Sequence, residues 1–299
     1  GPGQPKWRPA NYTKKFYGPS TMRLGIEKSR NLMTVRLAQT LGIEIIAKYA
    51  EKFGIVDKLP PQLSMSLGAG ETTLLKLTAA YAMLVNGGKL IKPTLIDRIQ
   101  NRDGQTVFKH DLRNCNECSA EYWDQQPVPI IPDRRIQVAD RSSVYQMVSM
   151  LEGVVQRGTG RRMKSLGKPL AGKTGTTNGT LDTWFIGFAP DLAVGVFVGF
   201  DSPRSLGKKE QGASVSAPIF KDFMKKALFN KPAIPFRIPP GIRLVRVQAE
   251  TGRLARPGDR RVILEAFKPG TMPKGQMKVL DGSEVAPGSD PTFGLGGLY

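Results

Sequence analysis

Two apolar, β-rich segments, Trp184 to Ala189 and Leu192 to Phe200, are split only by Pro190-Asp191. They follow closely on the run Ala171-Gly172-Lys173-Thr174-Gly175-Thr176-Thr177. Strands this near in sequence and joined by short turns pair antiparallel, because parallel partners need a crossover of a dozen or more residues. No other stretch constrains the fold as much: the chain must hold an antiparallel sheet around a Lys-Thr-Gly strand. The same run carries chemistry. A lysine and hydroxyls on a strand edge, with Gly175 giving close backbone access, suit an acyl substrate that bears a carboxylate. Thr174 and Thr176 also fit as plain strand residues of high β-propensity. Lys173 also fits as a solvated lysine guarding an edge strand.

Ser29-Arg30-Asn31 is the one Ser-x-Asn of the chain and heads an amphipathic stretch, Leu32 to Leu41. Leu32, Val35 and Leu41 stand near helical spacing there. A hydroxyl and an amide two residues apart can face one cleft across a turn, relaying a proton and hydrogen-bonding a substrate amide. Equally, Ser29 or Asn31 can cap the helix that follows.

An acyl-transfer site of this kind needs a nucleophile, and a serine one helical turn before a lysine is the pattern that activates it. Only Ser165 to Lys168 and Ser205 to Lys208 match. Both hold a glycine as third residue, Gly167 and Gly207, which weakens a helix. Ser20-Thr21-Met22-Arg23 ends in an arginine, which stays charged and cannot serve as the base. It reads instead as a helix start with Ser20 as cap and Leu24 and Ile26 in the helix.

Elsewhere the pattern predicts helices over residues 20–56, with Ile26, Leu37, Leu41, Ile45 and Ile46 on the apolar face and Gly42 and Gly54 as punctuation. Thr72 to Val85 reads as a buried helix ended by Asn86-Gly87-Gly88. Leu95 to Ile99 and Gln105 to Phe108 flank a hairpin turn at Asn101-Arg102-Asp103-Gly104. Arg141 to Gln156 is helical, with Val144, Met147, Val148 and Leu151 on one side. Val215 to Phe229 is a last helix, broken by Pro218 and packing Ile219, Phe220 and Phe223 inward. Short strands follow around Leu244 to Val247 and Val262 to Glu265, and a flexible tail from about Pro273.

Several of these segments together resemble a known family. Gly18-Pro19-Ser20-Thr21-Met22-Arg23 through Glu27-Lys28-Ser29-Arg30-Asn31-Leu32-Met33 is similar to the segment around the second motif of penicillin-binding transpeptidases. Ser66-Leu67-Gly68-Ala69-Gly70-Glu71-Thr72-Thr73, with Ala79-Ala80-Tyr81-Ala82 and Asn86-Gly87-Gly88, resembles another signature. Leu151 to Val155 with Gly158-Thr159-Gly160 resembles the approach to the Lys-Thr-Gly motif, and Asp182 to Gly187 the strand after it. From roughly residue 7 to 272 the chain resembles the C-terminal part of the transpeptidase domain of a class A (bifunctional) penicillin-binding protein.

The resemblance implies an α+β fold, an antiparallel sheet packed with helices on both faces. It implies a transpeptidase domain at 7–230 behind a scar or linker at 1–6, a β-rich extension at 231–272 and a tail at 273–299. It implies a D,D-transpeptidase that cross-links peptidoglycan stem peptides through a serine acyl-enzyme and is a target of β-lactams. Ser29 and Lys173 would shuttle the proton and stabilise charge, and Asn31 would hold the substrate amide. Thr174, Gly175, Thr176 and Thr177 would line the substrate strand, with Thr176 and Thr177 near the terminal carboxylate. In the family the acylated serine precedes Ser-x-Asn by some tens of residues, whereas 28 residues precede Ser29 here. The expectation is therefore a fragment that starts downstream of its nucleophile and does not acylate by itself. A D,D-carboxypeptidase or β-lactamase-like hydrolase shares the motifs, and a non-catalytic module binding wall precursor or a partner is a different class. Neither cofactor nor metal is implied. The setting implied is the periplasmic side of a bacterial cytoplasmic membrane, with membrane contact only through an N-terminal anchor and with other cell-wall synthesis proteins as partners.

Charge and cysteines fit this frame. Lys and Arg total 44 against 25 acidic residues, a net +19. The charges are scattered, with no finger, RNP-like or helix-turn-helix signature, so nucleic acid is not the expected partner. An anionic wall precursor, anionic lipid head groups or an acidic partner suits the balance. Cys115-Asn116-Glu117-Cys118 lacks companions for a zinc site, since the only other candidate ligand of His or Cys type is His110. In the extracytoplasmic setting that the resemblance implies, the pair closes a small disulfide loop or stays as inert thiols.

Overall fold

The computed structural model describes residues 7–273 apart from 114, 116, 117, 119–121, 123, 126 and 130. The N-terminal glycines and the expected tail beyond Pro273 lie outside the described residues. Three helices come first, α1 (Met22–Glu27), α2 (Asn31–Leu41) and α3 (Ile43–Lys52), and α4 (Leu74–Val85) follows a 3₁₀ turn at Leu63–Leu67. A hairpin of β1 (Arg98–Gln100) and β2 (Thr106–Lys109) leads to the long helix α5 (Arg141–Arg157). Then come β3 (Ala171–Thr176), β4 (Thr183–Ala189), β5 (Leu192–Val198) and α6 (Ser216–Ala227), and last a pair of strands, β6 (Arg243–Gln248) and β7 (Val262–Phe267).

The central sheet runs β3-β4-β5, antiparallel throughout. Its register sets Lys173 opposite Ile186 and Ala171 opposite Phe188, and Thr174 opposite Phe185. Side chains alternate across a sheet, so the first two pairs share one face and the third lies on the other. On the first face Ala171 and Phe188 pack with Val148, Leu151 and Val154 of α5 and with Tyr81 of α4. On the second, Phe185 meets Phe220 of α6 at 4.6 Å between ring centroids, with Met163, Val155 and Met224 around them. Helices thus cover both faces of an antiparallel sheet, an α+β architecture.

Local chemistry explains the element ends. The Thr73 hydroxyl accepts from Lys76 N at 3.1 Å and starts α4, and the Asp140 carboxylate accepts from Ser143 N at 2.9 Å and starts α5. At the hairpin turn, Asn101 Oδ1 accepts from both Asp103 N and Gln105 N.

Several expectations change. The cap of α1 is Thr21, which accepts from Leu24 N, and not Ser20, whose hydroxyl donates to Gly18 O. Gly42, at φ 87°, breaks the path between α2 and α3 and resets the apolar face. Val35, Ala38, Ile43 and Ala47 are buried there, while Leu41 and Ile45 stay exposed. Pro218 does not break α6, because it sits in the first turn, where no intrahelical N–H donor is required. Only Phe220 of the three expected residues points inward, and Ile219 and Phe223 stay half exposed. Cys115 and Cys118 are disulfide-bonded. Among the described residues no helix is long and apolar enough to cross a membrane.

Candidate active site

The turn between α1 and α2 delivers Ser29. Ser29 adopts φ 53°, a left-handed conformation uncommon for a residue with a side chain. Backbone bonds hold it: Ser29 N donates to Ile26 O at 3.1 Å and Arg30 N to Gly25 O at 2.9 Å. Strain maintained this firmly is characteristic of functional turns.

Across from it, Lys173 Nζ donates to the Ser29 hydroxyl at 2.7 Å and to Thr174 O at 2.9 Å. Among the described residues no carboxylate offsets the loss of water around this amine, and burial pushes its pKa down to about 8. A lysine tuned in this way is partly neutral near physiological pH and can take up a proton as well as donate one. Lys173 and Ser29, 144 residues apart, therefore form one proton-handling pair.

Asn31 takes a different direction. It is the first residue of α2, and its Nδ2 donates to Ala10 O at 2.9 Å. Neither it nor Ser29 caps α2. Asn11, a buried residue, does so from outside the helix: its Oδ1 accepts from Leu32 N at 3.2 Å. The segment before α1 is thereby fastened to the head of α2 at two points.

The hydroxyls after Lys173 are spread over different partners. Thr174 Oγ1 lies 2.9 Å from Thr159 Oγ1, and the Thr176 hydroxyl accepts from Gly212 N at 3.0 Å. The Thr177 hydroxyl accepts from Asp182 N at 2.8 Å and closes the turn into β4. Gly175 lies opposite Trp184. A Cβ built on Gly212 would lie 2.6 Å from Gly175 O, so only glycine lets that loop settle on the strand.

The support beneath the pair was not legible as a site. Glu27, 3% exposed, pairs with Arg157 at 2.5 Å and stands 3.6 Å from Arg23. Its backbone oxygen accepts from Thr159 N at 3.1 Å. A Cβ on Gly153 would lie 2.0 Å from Glu27 Oε1, and one on Gly158 would lie 2.2 Å from Glu27 O. These close approaches give a physical reason for glycine in the Leu151 to Gly160 signature.

The two Ser-x-x-Lys matches are engaged elsewhere. The Ser165 hydroxyl donates to Arg162 O, Lys168 Nζ donates to Lys231 O, and the Ser205 hydroxyl bonds with Thr180 Oγ1. Among the described residues no group of three or more His, Cys, Asp or Glu side chains is placed to hold a metal ion.

A family profile described as "Penicillin binding protein transpeptidase domain" matches residues 1–225. Penicillin-binding protein 1A of Rickettsia bellii is 46% identical over 270 residues, covering 90% of this chain and 34% of that protein. The Pseudomonas aeruginosa protein of the same name is 36% identical over 316 residues, 95% of this chain and 38% of its own length. The chain thus spans about a third of the length of these curated relatives. A crystal structure of penicillin-binding protein 1A from Haemophilus influenzae superposes with a TM-score of 0.76 at 30% identity, over 93% of this chain and 44% of that one. PonA1 of Mycobacterium tuberculosis, solved with penicillin V, shares the fold at a TM-score of 0.62 and 20% identity, over 77% of this chain and 62% of that one.

Proposed function

The chain belongs to the family of penicillin-binding protein transpeptidase domains, and from that premise we propose that its Lys173–Ser29 cleft serves D,D-transpeptidation of peptidoglycan stem peptides. The observation that carries this reading is the 2.7 Å bond between Lys173 Nζ and the Ser29 hydroxyl, with an amine pKa of about 8. A serine hydroxyl attacks the carbonyl between two terminal D-alanines, and its proton passes through Ser29 and Lys173 to the departing amine. The amine of a second peptide then takes the acyl group and gives its proton back along the same path. Thr176 and Thr177 bind the terminal carboxylate, Thr174 and Gly175 line the strand on which the peptide lies, and Asn31 holds the substrate amide once released from Ala10. The backbone N–H of Thr176 supplies one oxyanion donor, a contribution worth ~10²–10³ in rate.

The serine that carries the acyl group is proposed to lie outside these 299 residues, since neither Ser-x-x-Lys match is tied to Lys173. β-Lactams occupy the cleft as mimics of the acyl donor, and the setting proposed is periplasmic. The test uses the longer protein containing this chain, given a stem-peptide thioester and an amine acceptor. Aminolysis is expected, falling by about 10²–10⁴ in Lys173→Met, and hydrolysis without aminolysis would refute transpeptidation. The 299-residue chain itself is expected to resist covalent labelling by a fluorescent penicillin. Label mapped by mass spectrometry to Ser20, Ser29, Ser165 or Ser205 would overturn the assignment of an external serine.

A further inference from the structure

β4 pairs with one edge of β3, and among the described residues no strand pairs with the other. Lys173 of β3 bonds with Ser29 of the α1–α2 turn, so strand and turn form two walls. Asn31 stands on the wall of the turn and Thr176 on the wall of the strand.

The segment before α1 is tied to the first wall. Ala10 O accepts from Asn31 Nδ2, Asn11 Oδ1 accepts from Leu32 N, and the Arg30 guanidinium lies 4.1 Å from the centre of the Tyr17 ring. Asn11 is also held within its own segment, where its Nδ2 donates to Lys15 O at 2.8 Å, and it is 7% exposed. The backbone at Asn11 is thereby fixed at the head of α2.

The next residue leaves this wall. Tyr12 is 69% exposed, and its hydroxyl accepts from Gln211 Nε2 at 2.6 Å. Gln211 belongs to the second wall. It precedes Gly212, whose N–H donates to Thr176 Oγ1 and which has no room for a Cβ beneath Gly175 O and Trp184 O. Both ends of this bridge are anchored in packed structure, whereas the bridge itself is one side chain and one exposed hydrogen bond. Burial does not account for its course, because most of the ring stays in water. Tethering does not account for it either, because the segment is already held to the first wall at three points.

We infer that Tyr12 and Gln211 form a gate on the cleft. Closed, the tyrosine spans the gap between the Asn31 wall and the Thr176 wall. Open, its side chain swings away on the fixed backbone at Asn11 and admits the peptide. The inference rests on the function proposed above for the Lys173 cleft and adds a control on entry to it. One exposed hydrogen bond is a weak lock, worth about a two- to tenfold preference for the closed form. The affinity of an entering ligand is reduced by the fraction of chains that stand closed.

The test measures binding of N-acetyl-Lys(N-acetyl)-D-Ala-D-Ala to the 299-residue chain by NMR titration. Four chains are compared: the parent, Tyr12→Phe, Gln211→Met and Tyr12→Phe/Gln211→Met. Each single variant removes one partner of the bond and keeps most of the side chain's bulk. Each is expected to bind about two- to tenfold more tightly than the parent. The double variant should bind no more tightly than either single one, since the same bond is lost in all three. Unchanged affinity would show that the bridge does not bar entry, and weaker binding would show that the peptide uses these side chains as contacts. Either result overturns the gate and leaves the cleft reading standing. Gains that add in the double variant would mark two independent effects and overturn it as well. Binding by the variants alone would support a gate that is almost always shut. Failure of all four chains to bind would bring down the cleft reading, and the gate with it.

Discussion

Lys173 is subject to two opposed demands. Its hydrogen bonds to Ser29 and Thr174 O favour the ammonium, and its removal from water favours the neutral amine. The second wins, and the pKa falls from 10.5 to about 8. For a base with a depressed pKa the unfolded chain holds more protons between those values, so stability rises with pH across that window. A shift of this size corresponds to roughly 3 kcal/mol. Lys173→Met should remove that rise, so that the difference in unfolding free energy between parent and variant changes by this amount from pH 8 to 10.5. Urea titrations at matched pH measure it, and subtraction cancels the titration of other groups, the buried phenol of Tyr81 included. An unchanged difference would mean that the amine is not desolvated. The pair itself was legible in the sequence, because Ser29 and Lys173 sit in short motifs whose chemistry depends on residue type. The partner of Asn31 was not, because the carbonyl it finds belongs to Ala10, in a segment without periodicity or motif.

At the scale of elements, α1 is held against the end of α5 by contacts made through missing side chains. Gly158 has φ −102°, a conformation any residue can adopt, so its requirement for glycine is one of space. Gly158→Ala should push the Glu27 carbonyl away, break its bond from Thr159 N and cost about 1–3 kcal/mol as overpacking does. Glu27 lies two residues before Ser29. The same substitution should therefore loosen Ser29 from Lys173 and admit water to the amine; since removal from water is what holds the lysine pKa down, that pKa should rise, readable by NMR titration of the Lys173 side chain. Loss of stability with an unmoved pKa would separate the packing from the site. The helices and strands were readable from period and caps, as with Thr73 at α4 and the strands flanking Pro190-Asp191. The inward faces of α3 and α6 were not, because Gly42 resets one helix and only tertiary packing selects Phe220 over Phe223 in the other. The Gly158-Thr159-Gly160 run was visible as a signature, while its purpose depends on Glu27, 131 residues earlier in the chain.

Across the whole molecule, a charged clamp joins the last strand pair to the site. Arg23, 5% exposed, holds Glu265 through two bonds of 2.5 Å and the Ser149 carbonyl at 2.8 Å. Gln146 Nε2 adds a bond to Ala266 O at 2.8 Å. β7 is thus fixed to α5 and to α1, the helix that ends just before Ser29. A net charge of +19 can be counted in the sequence, but its division between this buried clamp, the surface pairs and the exposed cations depends on the fold. Burying an arginine and a carboxylate has a large desolvation cost, and removing one partner strands the other charge, typically at about 3–5 kcal/mol. Glu265→Gln should cost somewhat less than that, since a neutral amide can still accept from Arg23, and Arg23→Met should lie within it. Replacing both together, as Arg23→Met/Glu265→Met, should be milder than the sum of Arg23→Met and Glu265→Met, because no stranded charge remains. Denaturant unfolding of the four chains in that double-mutant cycle measures the coupling. Strictly additive losses would show that the clamp does not act as a unit, and that β6 and β7 are carried by the domain without bracing the turn that presents Ser29.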